Sequence, residues 1–77
     1  MSKLKLIDAK TMEKLLNIIG FERIRQKGSH VAFRHKDGRF TTVPFHSSKD
    51  LPRSLIRVIL SETNTSVDDY NDLLDKL

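Results

Sequence analysis

Asp37-Gly38 sits between two β-prone runs, residues 30–36 and 39–45, and no other local signal narrows the possible folds of this chain as much. An Asp-Gly pair tolerates the positive φ angles of a type I′ turn, so the two runs are expected to form an antiparallel hairpin. With a two-residue turn, Lys36 faces Arg39, Arg34 faces Thr41 and Ala32 faces Val43. Alternation along a strand then puts Val31, Phe33 and Phe40 on one face and His30, Ala32, Arg34 and Thr41 on the other. Val43 and Phe45 join the His30 face in this register. Two bulky apolar side chains suit a solvent face poorly, which leaves a bulge or a different loop length open.

The flanking elements follow from periodicity. Met12, Leu15, Leu16 and Ile19 fall at helical spacing, with Asp8 placed to cap the start and Gly20 the end, so a helix is expected over residues 9–19. From Phe21 to Lys27, Glu22, Ile24 and Gln26 alternate with Arg23, Arg25 and Lys27, which predicts a strand whose outward side is cationic, ended by Gly28. Pro52, Leu55, Ile56 and Ile59 again have helical spacing, with Pro52 in a first turn and Arg53 and Arg57 as a separate pair on the same helix. A third helix begins at Ser66 as its cap and places Val67, Tyr70, Leu74 and Leu77 on one face. Its four aspartates suit solvent, the helix dipole or a basic neighbour. The expected architecture is α+β: an α-β-β-β-α sandwich, a three-stranded antiparallel sheet with helices on one face, plus a C-terminal helix. One domain spans residues 1–77, with a core over about 8–61 and the last helix over about 66–77; no repeat, linker or low-complexity tract interrupts it.

At 77 residues such a domain buries about 60% of its unfolded surface, which leaves no room for a deep multi-lobed active site. Any catalysis must use a few residues on a shallow surface, with a large substrate supplying much of the binding energy. The chain has no cysteine, so disulfide scaffolding and thiolate chemistry are excluded, and a cytoplasmic setting is the expectation. Charged residues interrupt the N-terminal segment at Lys3, Lys5, Asp8 and Lys10, so neither a signal-peptide core nor a membrane span is expected there. The net charge of +4 hides an asymmetry: residues 1–60 carry thirteen Lys or Arg against five Asp or Glu, whereas residues 61–77 carry one Lys against five acids. A body this basic attracts polyanions in a salt-dependent way.

Chemistry concentrates after the second strand boundary. Gly28-Ser29-His30, Phe33-Arg34-His35, Asp37-Gly38, Thr42-Val43-Pro44 with His46, and Lys49-Asp50-Leu51-Pro52 before a helix stand in an order and at spacings that resemble the HicA toxin family of messenger-RNA interferases, from about Asp8 to Leu60. The resemblance implies a fold like the double-stranded-RNA-binding domain. It also implies a toxin that cleaves mRNA until a HicB-type antitoxin neutralises it, with DNA contacted only through the antitoxin. His30 corresponds to the histidine implied as catalytic and Gly28 to the hinge before it. Where many relatives have a glycine-rich stretch after the Val-Pro segment and its histidine, this chain has Ser47-Ser48.

Ribonuclease chemistry without a metal or cofactor needs a base for the ribose 2′-hydroxyl, an acid for the leaving 5′-oxygen and cations for the phosphorane charge. An imidazole populates both protonation states near neutrality, so His30 can serve as base, acid or each in turn. Gly28 leaves room for an RNA backbone and permits a bend, and Ser29 is expected to orient that hinge. Arg25, Lys27, Arg34 and Lys49 are the candidate RNA-binding cations, with Arg34 two pleats from His30 on the same face. His46 is either a second acid or base or a residue that fixes the following loop. His35 is an odd number of positions from His30, so the two rings leave opposite faces, which argues against a shared metal. His35 is expected at the core edge with a local hydrogen bond. The alternative function is a non-catalytic double-stranded-RNA-binding module using the same cations.

Overall fold

In the computed structural model, which describes residues 3–46 and 49–77, the element order is α1 (Ala9–Ile18), β1 (Phe21–Lys27), β2 (His30–His35), β3 (Phe40–Pro44), α2 (Arg53–Glu62) and α3 (Val67–Asp75). The Ser47-Ser48 departure from the family pattern lies outside the described residues. The three strands form one antiparallel sheet in the order β1-β2-β3, and the helices pack on one of its faces. This is the α+β arrangement expected, consistent with a double-stranded-RNA-binding-like fold.

Two of the three helices, α1 and α3, start at side-chain caps. Asp8 accepts from the Thr11 amide at 2.9 Å, and Ser66 accepts from the Asp69 amide at 3.0 Å, satisfying amides that have no partner inside the helix. Hydrogen bonding to Thr11 holds the Asp8 carboxyl below its ordinary 3.8. α1 stops at Ile18, with Ile19 as its C-cap and Gly20 at φ 102° just beyond. That conformation suits glycine, and here space demands it as well: a Cβ on Gly20 would lie 2.7 Å from the His35 Nε2. Pro52 is the N-cap of α2 rather than part of its first turn.

The β2–β3 hairpin differs from the two-residue reading by one position. Val31 pairs with Val43, Phe33 with Thr41 and Arg34 with Phe40, leaving a three-residue loop of Lys36, Asp37 and Gly38. The Gly38 amide donates to the His35 carbonyl and the His35 amide to the Arg39 carbonyl, both at 2.9 Å, with Gly38 at φ 101°. This is a type I turn followed by a left-handed glycine, the three-residue alternative to the type I′ turn. Asp37 locks it, accepting from the Arg39 amide and Nε at 3.0 and 2.9 Å. The Arg39 amide is the main reason its carboxyl lies below the ordinary value. A one-residue slip exchanges the faces of a strand: Val43 and Thr41 turn inward and Phe40 outward, reversing the expected places of these three residues.

The core is Met12, Leu15 and Leu16 of α1, Phe21, Val31, Phe33 and Val43 of the sheet, Ile56, Ile59 and Leu60 of α2, and Tyr70 of α3. Thr41 is fully buried among them, and its hydroxyl donates to a Glu62 carboxylate oxygen at 2.8 Å, as a buried polar group requires. α3 also holds residues 3–5 in place. The Tyr70 hydroxyl donates to the Lys5 carbonyl, Asn71 Nδ2 donates to the Lys3 carbonyl at 2.9 Å, and Asp75 pairs with Lys5 at 3.2 Å. One expected member of the α3 face is absent from the core: Leu77, past the helix end, is 49% exposed.

Candidate functional site

The face of the sheet away from the helices is set by strand register. Along β2 it carries His30, Ala32 and Arg34, which pair with Pro44, Thr42 and Phe40 of β3. On the β1 side, Lys27 pairs with His30, Arg25 with Ala32 and Glu22 with Arg34. Strict alternation would give Arg23, Arg25 and Lys27 one common face. A bulge between Arg23 and Arg25 breaks that pattern by inserting Ile24 as an unpaired extra residue. Arg25 and Lys27 consequently stand on the His30 face, whereas Arg23, opposite Phe33, turns to the helix side. There it grips Glu13 of α1 with two hydrogen bonds of 3.0 and 2.8 Å and lies 5.4 Å from the centre of the Phe45 ring. The bulge therefore separates a structural arginine from the cations beside the histidine.

At the other end of the sheet, Gly28 and Ser29 close a two-residue β1–β2 turn. Gly28 has φ 60° and Ser29 has no positive φ, the type II′ pattern that places glycine first. A Cβ on Gly28 would meet nothing within 4 Å, so the space beside the turn is open to an incoming strand. The Ser29 carbonyl accepts from the Phe45 amide at 2.6 Å, which carries the β2–β3 pairing one residue past Pro44. His46 thus arrives next to His30. Their rings meet edge to face with centroids 5.7 Å apart, and both residues are exposed. His30 opens β2 at the surface.

Lys49 lies farther along, beside His46, in a cleft of about 80 Å³ also lined by Pro44, Asp50, Leu51 and Pro52. The start of α2 next to it has no side-chain cap. Arg53 donates from Nη1 to the Leu4 carbonyl at 2.9 Å, and Arg53 and Arg57 are both exposed. His35 sits on the opposite face from His30, as strand parity requires. Its ring packs edge-on against Phe21 with centroids 5.3 Å apart, and its Nδ1 faces the Asp37 amide at 3.1 Å and the Asp37 carboxylate at 3.0 Å. A neutral ring accepts from the amide, and a protonated one donates to the carboxylate. Among the described residues, no three His, Asp or Glu side chains are gathered as a metal site needs.

Two features of this face escape a reading by alternation: the bulge at Ile24 and the outward turn of Phe40. The first has no local sequence mark. The second follows from loop length, for which the burial of Val43 was the available signal.

Fold and face together define a small RNA-binding-domain-like α+β unit whose open sheet surface holds two imidazoles among cations. The chain belongs to the HicA toxin family: the family model described as the HicA toxin of bacterial toxin-antitoxin systems matches residues 9–64. It is thus a toxin-family component of such a system, which implies an antitoxin partner. No curated protein matches the chain. The family match ends before α3, so the helix that clasps the N-terminal segment lies outside it. No described helix is long and apolar enough to cross a membrane.

Proposed function

We propose that this toxin is a metal-independent endoribonuclease that binds mRNA on the open sheet face and cleaves it, inhibiting translation and growth until an antitoxin covers the site. The observation that carries this reading is the exposed His30 paired edge to face with His46 on a surface where the β1 bulge has placed Arg25 and Lys27 and where Arg34 already stands. The cations draw the phosphates in and offset charge on the phosphorane. One imidazole takes the proton of a ribose 2′-hydroxyl, the oxygen attacks the adjacent phosphorus, and the 5′-oxygen leaves with a proton from an imidazole. His30 is the principal group, with His46 as the second acid or base. Gly28 and Ser29 hold the turn that presents His30, and Lys49 steers the strand past His46. The basic face of the toxin fits an antitoxin that presents carboxylates and blocks substrate access.

End-labelled RNA incubated in excess chelator tests this. The wild-type chain shortens RNA and leaves an all-deoxy strand intact. A folded His30→Ala variant still shifts the RNA but does not cut it, and His46→Ala slows cleavage by roughly 10²–10⁴. Retained cleavage by His30→Ala removes the central assignment; a wild-type chain that shifts RNA without shortening it is a binding module instead.

A further inference from the structure

Of the five phenylalanine and tyrosine rings, three are fully buried and Phe45 is half-buried against the core; only Phe40 is exposed, at 39%. Its exposure is a consequence of register. The shorter turn would have placed Phe40 inside; the three-residue loop buries Thr41 in that layer and leaves the ring on the open face beside Arg34. Across Arg34 on β1 stand Glu22 and the bulge residue Ile24, which is 46% exposed. Glu22, Ile24 and Arg34 line a shallow cleft of about 240 Å³ with Gly20, His35 and Lys36.

The face therefore has two chemically different ends. Lys27, His30 and His46 occupy one end, with Arg25 midway; a bare ring, an aliphatic side chain and a carboxylate flank Arg34 at the other. Arg34 and Lys36 keep this end cationic beside Glu22, and the exposed ring of Phe40 adds the flat apolar surface on which a base, rather than a phosphate, stacks. Phe40 is four residues along β3 from Pro44, the pairing partner of His30, or about 13 Å at strand spacing. A base held at Phe40 thus belongs to a neighbouring nucleotide of the strand whose ribose reaches His30.

We propose that Phe40 is a stacking platform for an unpaired nucleobase, and that the substrate of this face is single-stranded RNA. The proposal rests on the ribonuclease reading above and adds the strandedness of its substrate. In an A-form duplex the base faces are closed within the stack, so a ring on a flat sheet meets only sugar and phosphate. An unpaired base offers its π-face, and stacking of this kind works for any base. The cations Arg25, Lys27 and Arg34 on the same surface complement the phosphates of such a strand.

The experiment uses a short, fluorophore-labelled RNA with 2′-O-methyl groups throughout, which the 2′-hydroxyl mechanism cannot cut, as a single strand and as a duplex. Anisotropy should show Phe40→Ala weakening single-strand binding at least about fivefold while duplex binding stays unchanged. Phe40→Trp should restore the affinity. Because the chain has no tryptophan, that residue also reports directly: its emission should be quenched by the single strand and not by the duplex. Equal single-strand affinity in Phe40→Ala, or an unquenched Trp in a complex that anisotropy shows to be formed, overturns the platform while leaving the ribonuclease reading intact. Wild-type protein that fails to bind the single strand even at low salt overturns both. A Phe40→Ala variant that loses affinity only for an antitoxin assigns the ring to a protein interface and also overturns the proposal.

Discussion

Arg23 and Arg25 are two residues apart, yet the bulge between them assigns them different work, and their alanine variants should differ in kind. Arg25 and Lys27 share the His30 face, whereas Arg23 donates from Nε and Nη2 to Glu13 and from Nη1 to Gln26 on the helix side. For a single strand, each phosphate contact contributes about 0.7 to the slope of log affinity against log salt. Arg25→Ala and Lys27→Ala should each flatten that slope by about 0.7, and the double variant by about 1.4. Between 50 and 200 mM salt, a fourfold change, one contact corresponds to roughly a 2.6-fold smaller loss of affinity. Arg23→Ala should leave the slope unchanged and instead lower the melting temperature slightly, because the ion pair it removes is largely solvated. The assay is anisotropy of the uncleavable RNA across a salt series, with thermal melts of each variant. A slope flattened as much by Arg23→Ala as by Arg25→Ala would refute the register on which the site is built.

Three further outcomes are expected. Tyr70→Phe keeps the buried ring but leaves the Lys5 carbonyl without its donor, at a cost of about 1–2 kcal/mol, or roughly 4–16 °C in a thermal melt. Burial, with the nearby Asp50 charge, pushes the Tyr70 phenol up to about 12. A raised folded-state value means stability is fully present below the ordinary 10.0 and is lost as pH rises toward 12, so the variant should lack that alkaline loss. Gly28→Ala should cost about 1 kcal/mol for its left-handed backbone, since nothing crowds the new methyl group. Gly20→Ala should cost more, having the same strain plus the contact with His35, as paired denaturant titrations would show. Asp8→Ala should cost about 1 kcal/mol as a lost cap, with Asp8→Asn close to wild type at neutral pH. The depressed Asp8 value makes its stabilisation present above pH 3.8 and lost as pH falls below it, so acid melts of Asp8→Asn should be less steep.

Much of this architecture was legible because it depends on local chemistry. The Asp8 and Ser66 caps, the Gly20 helix end and the buried stripe of Met12, Leu15 and Leu16 are fixed by side chains within a turn of each other. The opposite faces of His30 and His35 follow from parity within one uninterrupted strand. Positions set by counting across a turn or through a bulge were not legible. Asp-Gly serves a two-residue turn or the last two positions of a three-residue one, and the choice is made by which of Phe40 or Val43 the core accepts. The bulge at Ile24 answers to the sheet as a whole, keeping Arg23 on Glu13 and Lys27 beside His30 in the same strand. His46 comes to His30 through the amide of Phe45, a contact across the hairpin end that depends on the register of both strands.

Proton transfer by an imidazole at a ribose 2′-hydroxyl is tested most directly by the ends of the cleaved RNA. Mass spectrometry of fragments made by the wild-type chain in excess chelator should find 2′,3′-cyclic phosphate on one side of each cut and a 5′-hydroxyl on the other. Fragments ending in 3′-hydroxyl and 5′-phosphate, or cleavage that the chelator abolishes, would contradict it.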